Sequence, residues 1–415
     1  MKAFLNARLK GEHELVTLLV DNGRFVAIGK DVVIPEGVES IDLSGHLTIA
    51  PYVDPHLHLD YVFTANAGPK NVSGTLFEGI QRWSEFKSAL TAEEVKERAI
   101  LGIKKEISHG VQYIRTHVDV TDPKMVGLKA ILEVKEAVKD YCTIQVIAFP
   151  QEGMYSYKGG AELVEEALKM GCDVVGGIPH FEFTPELGEK SVKKAVELAV
   201  KYDKLIDLHC DETDDVNSRF VQQLAALAYF EGIGEKTTAS HTCSLGSVDN
   251  SYFFKLLKIL TLSKINFISC PTENIYLQGR QDTYPKRRGL TRVKELNDNG
   301  INVCFAQDSM SDPWYPLGNG NMMMILDHGI HICQMMSPKE IDNALDLITV
   351  NGAKTMCLSK EEYGINVGSK ANFIVLDAKS EFEAICERAD IIMSVRSGST
   401  LFERKTTQSS LDFLG

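Results

Sequence analysis

Histidine and acidic residues recur in this sequence directly after short apolar runs. His56 and His58 form an H-x-H pair at the end of LTIAPYVDPH, and His209 lies near the end of LIDLHC. Residues i and i+2 of an extended segment point to the same side, so the two imidazoles of the pair can bind one ion. Asp308, which follows NVCFAQ, adds a carboxylate. Three imidazoles and one carboxylate predict a catalytic divalent ion, Zn²⁺ or Fe²⁺, that activates water.

Two further titratable residues are expected beside this ion. Glu212 lies three residues after His209, and His241 ends the run TTASH. A carboxylate that close to activated water can shuttle protons during hydrolysis. The other runs end on His117 with Asp119, on Gln151 with Glu152, and on His180.

The elements that position these residues repeat with one period. Eight apolar, β-branched runs begin near Leu47, Val111, Thr143, Asp173, Leu205, Thr237, Ile265 and Asn302. From the second run onward the starts are about 28 to 37 residues apart, which suits one βα unit, and amphipathic stretches lie between them. Eight such units predict a closed TIM-type (β/α)8 barrel, whose active site lies at the carboxyl ends of the strands. An open doubly wound sheet would normally have fewer strands, and G-x-G-x-x-G does not follow the first run.

The two ends of the chain have a different pattern. Residues 1–50 and 365–415 consist of short alternating runs, and Asp21-Asn22-Gly23 is typical of a hairpin turn. We predict that these ends pair into one small β-sandwich domain beside a catalytic barrel spanning 51–364.

Composition narrows the function and the compartment. The chain has 415 residues and a net charge of −13, which argues against binding nucleic acid or an anionic membrane. Its nine cysteines are scattered without C-x-x-C, as expected for thiols in a reducing compartment. The sequence contains no apolar run of about 18 residues, the length that would predict a membrane span. We therefore expect a cytoplasmic protein.

Longer motifs resemble a known family. PHLHLD, SGTLFEGI, RTHVDV, AFPQEG, PHFEFT, LQGRQDTYPKRRG and DPWYPLG are similar to motifs of the bacterial cytosine deaminases, which belong to the amidohydrolase superfamily. The resemblance covers nearly the whole chain. It implies a homo-oligomer that acts on a small nucleobase with one Fe²⁺ or Zn²⁺ per subunit, held by His56, His58, His209 and Asp308.

The same resemblance implies roles for the remaining site residues. Glu212 would move protons between the attacking water and ring nitrogen N3, while His241 and Asp308 would orient and deprotonate that water. Gln151 and the backbone of Leu76 would bind the edge of the pyrimidine. Trp314 would line the pocket.

One departure from the family pattern bears on the substrate. The family reads G-H-D-D after the eighth strand, whereas this chain reads Ala306-Gln307-Asp308-Ser309. The aspartate replaced by Ser309 stands near C5 and the exocyclic amine in the family. Serine is smaller and neutral, so it leaves space for a methyl group. The sequence therefore favours 5-methylcytosine or another C5-substituted cytosine, with a plain cytosine deaminase, or a deaminase of a related aminated heterocycle, as the alternative.

Three other interpretations are disfavoured. His180-Phe181-Glu182 matches the H-x-E of zinc deaminases that act on nucleic acid, but P-C-x-x-C does not follow it. A two-metal ring hydrolase of the hydantoinase or dihydroorotase type needs a lysine after the fourth strand, where this chain has Gly177-Ile178-Pro179-His180. A non-catalytic scaffold would have lost the ligands that are present here.

Overall fold

The computed structural model describes residues 1–405, which divide into two compact units. The first unit comprises Met1–Pro51, Ile107–Gly110 and the described residues from Ser359 onward, and the second comprises Tyr52–Glu106 and Val111–Leu358. The last part of the predicted terminal domain, 406–415, lies outside the described residues.

Strands and helices alternate through the middle of the chain. The strands of residues 1–405 are β1 (Lys2–Leu9), β2 (Leu15–Asp21), β3 (Arg24–Gly29), β4 (Glu39–Asp42), β5 (Leu47–Ile49), β6 (Tyr52–Leu57), β7 (Val111–Asp119), β8 (Thr143–Phe149), β9 (Val174–Val175), β10 (Leu205–Cys210), β11 (Thr237–His241), β12 (Asn266–Ser269), β13 (Val303–Phe305), β14 (Phe373–Leu376), β15 (Ile391–Arg396) and β16 (Ser399–Glu403). The α-helices of this range are α1 (Leu76–Lys87), α2 (Ala92–Ser108), α3 (Val126–Ala137), α4 (Gly160–Met170), α5 (Pro185–Tyr202), α6 (Phe220–Glu231), α7 (Asn250–Ser263), α8 (Pro271–Leu277), α9 (Val293–Asp298), α10 (Met322–Ile332), α11 (Pro338–Asp342), α12 (Val350–Thr355) and α13 (Glu381–Cys386). None of these helices has the length and apolar character that a membrane span requires.

The first unit is a sheet built from both chain ends, as predicted. Its strands run in the order β16-β15-β14-β5-β1-β2-β3, and β4 pairs with β1. The turn between β2 and β3 has left-handed backbone at Asn22 and Gly23, as a two-residue hairpin requires. The backbone N–H of Phe25 donates to the carbonyl of Ser369 over 3.0 Å, so the segment before β14 also binds β3. The sheet thereby encloses a core that includes Phe4, Phe25 and Phe373.

The second unit is the predicted (β/α)8 barrel. Strands β6 to β13 are parallel and lie side by side in chain order. The ring is completed where the N–H of Asp308, after β13, donates to the carbonyl of His56 in β6 over 2.8 Å. Closure therefore brings the first and last predicted metal-binding segments into direct contact.

Two strands differ from the prediction. The run that begins at Leu47 is divided, because Leu47–Ile49 belongs to the terminal sheet and the barrel strand starts only at Tyr52. Pro51 separates them, since it lacks the N–H that a continuous ladder would use. The fourth barrel strand has only two residues, and Gly176 follows it, where a Cβ atom would lie 2.6 Å from the carbonyl oxygen of Ala148.

Candidate active site

The predicted site residues lie at the carboxyl ends of barrel strands. His56 is near the end of β6, His209 is the penultimate residue of β10, and His241 is the last residue of β11. Asp308 follows β13 with left-handed backbone, at φ 66°, and His241 has φ 68°. Non-glycine residues seldom adopt this conformation, which here turns both side chains at a strand end. All of these residues are buried, so the barrel holds them in a fixed arrangement.

Three imidazoles and one carboxylate meet at a single point. The Nε2 atom of His209 lies 3.3 Å from Nε2 of His56 and 3.2 Å from Nε2 of His58. Oδ1 of Asp308 lies 3.4 Å from the Nε2 atoms of both His56 and His58. A tetrahedral ion with ligand bonds of about 2.0–2.1 Å separates its ligands by about 3.3–3.4 Å. The four predicted ligand atoms therefore fit one divalent ion.

The charges of this cluster also suit a cation. Burial, followed by the neighbouring histidines, holds the pKa of His209 well below its usual value. Burial lowers the pKa of His58 to about 4, although Asp308 opposes this. Burial alone would raise the pKa of Asp308, but His56 and His241 hold it well below its usual range. Neutral imidazoles and an ionised carboxylate are the forms that bind metal.

A buried polar chain supports one of the ligands from behind. Nδ1 of His56 lies 3.0 Å from the hydroxyl of Ser240, which donates to Oδ1 of Asp207 over 2.5 Å. Arg115 binds the other carboxylate oxygen of Asp207 at 3.1 Å, and both side chains are fully buried. Nε2 of His117 also lies 3.1 Å from Nδ1 of His56. These acceptors keep the Nδ1 proton in place, so that Nε2 faces the position predicted for the ion.

Glu212 and His241 are joined by a residue that sequence analysis missed. The side-chain amide of Asn274 donates to Oε1 of Glu212 over 3.2 Å and lies 3.1 Å from Nδ1 of His241. Its oxygen accepts the N–H of Cys270, which fixes the orientation of the amide. Nδ1 of His241 is therefore the acceptor, and its proton resides on Nε2, which has no other partner within residues 1–405. The only sequence signal was the polar pair Glu273-Asn274 after the seventh strand.

The environment of Glu212 is suited to proton transfer. Burial, and then the charge of Asp308, raise the pKa of Glu212 well above its usual value. A carboxyl group with a raised pKa can donate a proton at neutral pH and take it back later. Glu212 therefore has the properties expected of a general acid and base.

A small cavity lies beside the cluster. It is lined by His58, Tyr61, Leu76, Gln151, Ile178, His209, Glu212, Glu273, Asp308, Ser309 and Trp314. All four residues predicted to bind substrate are in this wall, together with Glu212 and three of the predicted ligands. Tyr61, Ile178 and Glu273 were not predicted.

The aromatic wall of the cavity depends on close packing of α1. Leu76 is the first residue of this helix, and the side chain of Thr75 caps it. A Cβ atom on Gly79 would lie 2.5 Å from the indole of Trp314, so glycine is required for the helix to approach. Trp314 also packs on Tyr61, with ring centroids 4.6 Å apart. The helix and the two rings thus form one rigid side of the cavity.

Gln151 lies in a loop that is held by the H-x-E segment. Oε1 of Gln151 is buried in the cavity wall and has no partner among the described residues. The carboxylate of Glu182 accepts the backbone N–H groups of Met154, Tyr155 and Ser156, three to five residues further along. Glu182 therefore positions the loop that begins at Gln151 and is not part of a nucleic-acid deaminase motif.

Three other predicted strand-end groups lie outside the cavity wall. Asp119 and Glu152 both bind the ammonium group of Lys87, and the indole N–H of Trp83 donates to Asp119 over 2.9 Å. His180 is in a short 3-10 turn, where its Nδ1 lies 3.1 Å from the carbonyl oxygen of His209. These contacts brace the elements around the site.

Ser309 is part of a buried polar group. Its hydroxyl lies beside the carboxyl groups of Glu273 and Asp312 and favours their ionised forms. Its carbonyl accepts the amide of Gln307 over 3.1 Å, and Gln307 in turn accepts the N–H of Gly320. Gln307, where the chain departs from the family histidine, therefore fixes the backbone of Ser309.

Comparisons with known proteins agree with this site. A family model described as "Amidohydrolase family" matches residues 39–401. The chain is 30% identical over 369 residues to N-isopropylammelide isopropyl amidohydrolase of Pseudomonas sp. strain ADP, covering 87% of each chain. It is 27% identical to a pterin deaminase of Rhizobium rhizogenes, covering 84% of this chain and 79% of that protein.

A solved structure is more similar still. The crystal structure of 5-methylcytosine deaminase from Klebsiella pneumoniae liganded with 5-fluorocytosine has a TM-score of 0.96 to this chain. The two are 48% identical, and the match covers 99% of each. Together with the geometry of the ligand cluster, these matches lead to one conclusion: the chain belongs to the amidohydrolase family and is a metal-dependent hydrolase.

Proposed function

We propose that this protein hydrolyses the amino group of a free aminopyrimidine base and that its preferred substrate is 5-methylcytosine, which it converts to thymine and ammonia. The observation that carries the proposal is Ser309, a small neutral residue in the wall of the cavity beside the ligand cluster. The similar Klebsiella enzyme is named a 5-methylcytosine deaminase and was crystallised with a C5-substituted cytosine.

We assign the metal site to His56, His58, His209 and Asp308, and we infer one Fe²⁺ or Zn²⁺ per subunit. Four of the distances among their Nε2 and Oδ1 atoms are 3.2–3.4 Å, and all four atoms lie within 4.8 Å of one another, which supports this assignment. When bound, such an ion lowers the pKa of a coordinated water and so makes a nucleophile available at neutral pH.

The side chains around the ion supply the proton transfers. Deamination forms a C4–O bond, breaks the C4–N bond and requires protons at N3 and on the departing amine. Asp308 and His241 orient the attacking water, and Asp308 accepts one of its protons. Glu212 delivers a proton to N3 and transfers the next one to the amine, which leaves as ammonia. Its raised pKa supports this alternation between acid and base.

The base is held by the remaining wall residues. Gln151 has an amide oxygen without another partner in the described chain, and it pairs with a polar ring edge. The backbone of Leu76 pairs with the same edge. Trp314 packs against the ring, in a wall that also contains Tyr61.

Ser309 sets the preference at C5. N3 and C5 flank C4 on opposite sides, and Glu212 serves the N3 side. Ser309 comes directly after the metal ligand Asp308. It follows a different barrel strand from Glu212, and it serves the C5 side. Burying a methyl group contributes about 0.8 kcal/mol, and pockets discriminate one methylene by about 10- to 200-fold.

The experiment is ammonia release from cytosine, 5-methylcytosine and aminated purines by metal-analysed protein. We expect 5-methylcytosine to have the highest kcat/KM. Ser309→Asp should reduce or reverse that preference, whereas Ser309→Ala, which keeps the side chain small, should retain it. His209→Ala should lose both the ion and turnover. A His209→Ala protein with full metal and a normal rate would contradict the metal site, and a wild type that strongly prefers cytosine would contradict the role of Ser309.

Further expectations from the sequence stay predictions. A homo-oligomer, a cytoplasmic location, and the choice between Fe²⁺ and Zn²⁺ require measurements of mass in solution, of cell fractions and of bound metal.

A further inference from the structure

Glu273 is a buried carboxyl group for which the mechanism above has no use. It is the third residue of α8, immediately after the seventh barrel strand, and it is only 2% exposed. Its side chain lines the same small cavity as Glu212, Asp308 and Ser309. The ligand cluster and the proton transfers are complete without it.

One oxygen of Glu273 is free to bind a ligand. Its carboxyl group lies beside the hydroxyl of Ser309, and its Oε2 atom is buried and has no partner within residues 1–405. The neighbouring Asp312 also has one buried oxygen, Oδ2, without a partner among the described residues, but Asp312 is not among the residues that line the cavity. A buried carboxyl oxygen without a hydrogen bond is costly, so a group that occupies the cavity and pairs with it gains free energy.

Resting on the function proposed above, we propose that Glu273 is a specificity-determining residue that hydrogen-bonds a polar one-carbon substituent at C5, so that 5-hydroxymethylcytosine is a substrate. The hydrolysis is unchanged: water supplies the oxygen at C4, the C4–N bond breaks, and 5-hydroxymethyluracil and ammonia are released.

The position of Glu273 selects C5 over the other ring substituents. Ser309 serves the C5 side, and the Glu273 carboxyl group lies beside the Ser309 hydroxyl in the wall of the same cavity. A substituent that extends one atom beyond a C5 methyl therefore extends toward the Ser309–Glu273 pair. With 5-methylcytosine bound, the methyl group meets Ser309 and leaves Oε2 of Glu273 unpaired.

The chemistry of a carboxyl group fits a hydroxymethyl substituent in either protonation state. Burial, and then the charges of Asp308 and Asp312, raise the pKa of Glu273 well above its usual value. A neutral carboxyl group donates a hydrogen bond to the substrate hydroxyl, and an ionised one accepts from it. An apolar side chain at this place would instead leave the substrate hydroxyl without a partner.

The test is kcat/KM for ammonia release from 5-hydroxymethylcytosine, 5-methylcytosine and cytosine, on wild type, Glu273→Gln and Glu273→Leu. Both variants have side chains of approximately the same size as glutamate. Only glutamine keeps polar atoms that can hydrogen-bond with the substrate. We expect the ratio of 5-hydroxymethylcytosine to 5-methylcytosine to fall by about 10- to 100-fold in Glu273→Leu, and to stay within about fivefold in Glu273→Gln. Metal content and the unfolding temperature of each variant show that the fold is intact.

Four outcomes are distinguishable. A ratio that falls only in Glu273→Leu supports the proposal. Equal losses on all three bases would overturn it, because they would place Glu273 at the shared C4 amine. No turnover of 5-hydroxymethylcytosine by a wild type that deaminates 5-methylcytosine would also overturn it, while leaving the proposed function intact. A wild type that releases ammonia from none of the three would refute the proposed function itself.

Discussion

Replacing Glu182 by glutamine tests how the loop that contains Gln151, the proposed substrate-binding residue, is held. Oε1 of Glu182 accepts the N–H of Met154 over 2.7 Å, and Oε2 accepts both the N–H and the hydroxyl of Ser156 over 2.7 Å each. Gln151 lies at the start of the same loop. Glu182→Gln keeps the size of the side chain but replaces one accepting oxygen by an amide that can only donate.

The magnitude follows from the bonds that are lost. If the amide replaces Oε2, it faces the N–H of Ser156, so two short bonds to a carboxylate oxygen are lost or weakened. Hydrogen bonds to charged groups contribute about 1.5–3 kcal/mol each. We therefore expect the free energy of unfolding to fall by about 3–6 kcal/mol. We also expect KM for the base to rise by more than kcat falls, because Gln151 is proposed to bind substrate and takes no part in the proposed proton transfers.

The assay combines denaturant unfolding with kinetics of ammonia release. Glu189→Gln, an exposed position on α5, is the matched control for loss of one negative charge. A Glu182→Gln protein with unfolding free energy and KM both equal to those of Glu189→Gln would refute this explanation of the loop.

Three further predictions concern the ion and the proton transfers. Glu212→Gln should keep its metal and lose about 10²- to 10⁴-fold in kcat; a kcat within about threefold of wild type would assign proton transfer elsewhere. Ser240→Ala removes one acceptor of the His56 Nδ1 proton and should weaken metal binding by about 10-fold in chelator competition, whereas unchanged affinity would mean that His117 alone suffices. Removal of the ion by a chelator should abolish ammonia release and lower the unfolding temperature, and Zn²⁺ or Fe²⁺ should restore both; activity that persists without metal would contradict the site.

The sequence predicts the barrel well because each parallel strand is buried on both faces. Such strands are continuous apolar runs, and the polar residue after each run is by topology at the catalytic end. The sequence alone therefore predicts that one set of residues lies close together: His56, His58, His209 and Asp308. The helices after these strands have ordinary amphipathic spacing, and glycines such as Gly171 and Gly300, both left-handed, follow them.

Residues that act through local geometry could not be predicted in the same way. Asn274 reaches Glu212 and His241 only because α8 begins directly after β12, and no spacing in the sequence indicates that turn. Glu273 lies beside Ser309 although the two residues are 36 positions apart in the chain. The periodicity of apolar residues does not predict such a contact. Likewise, Pro51 divides an apolar run that appears continuous when only hydrophobicity is considered.

The measurement that tests the central claim most directly is kcat/KM for ammonia release from 5-methylcytosine and from cytosine, on wild-type protein of known metal content. The proposed function predicts that both bases are deaminated, that 5-methylcytosine is preferred by about 10-fold or more, and that thymine appears in equal amount with ammonia. If protein with a fully loaded metal site releases no ammonia from 5-methylcytosine and none from cytosine, the proposed function is contradicted.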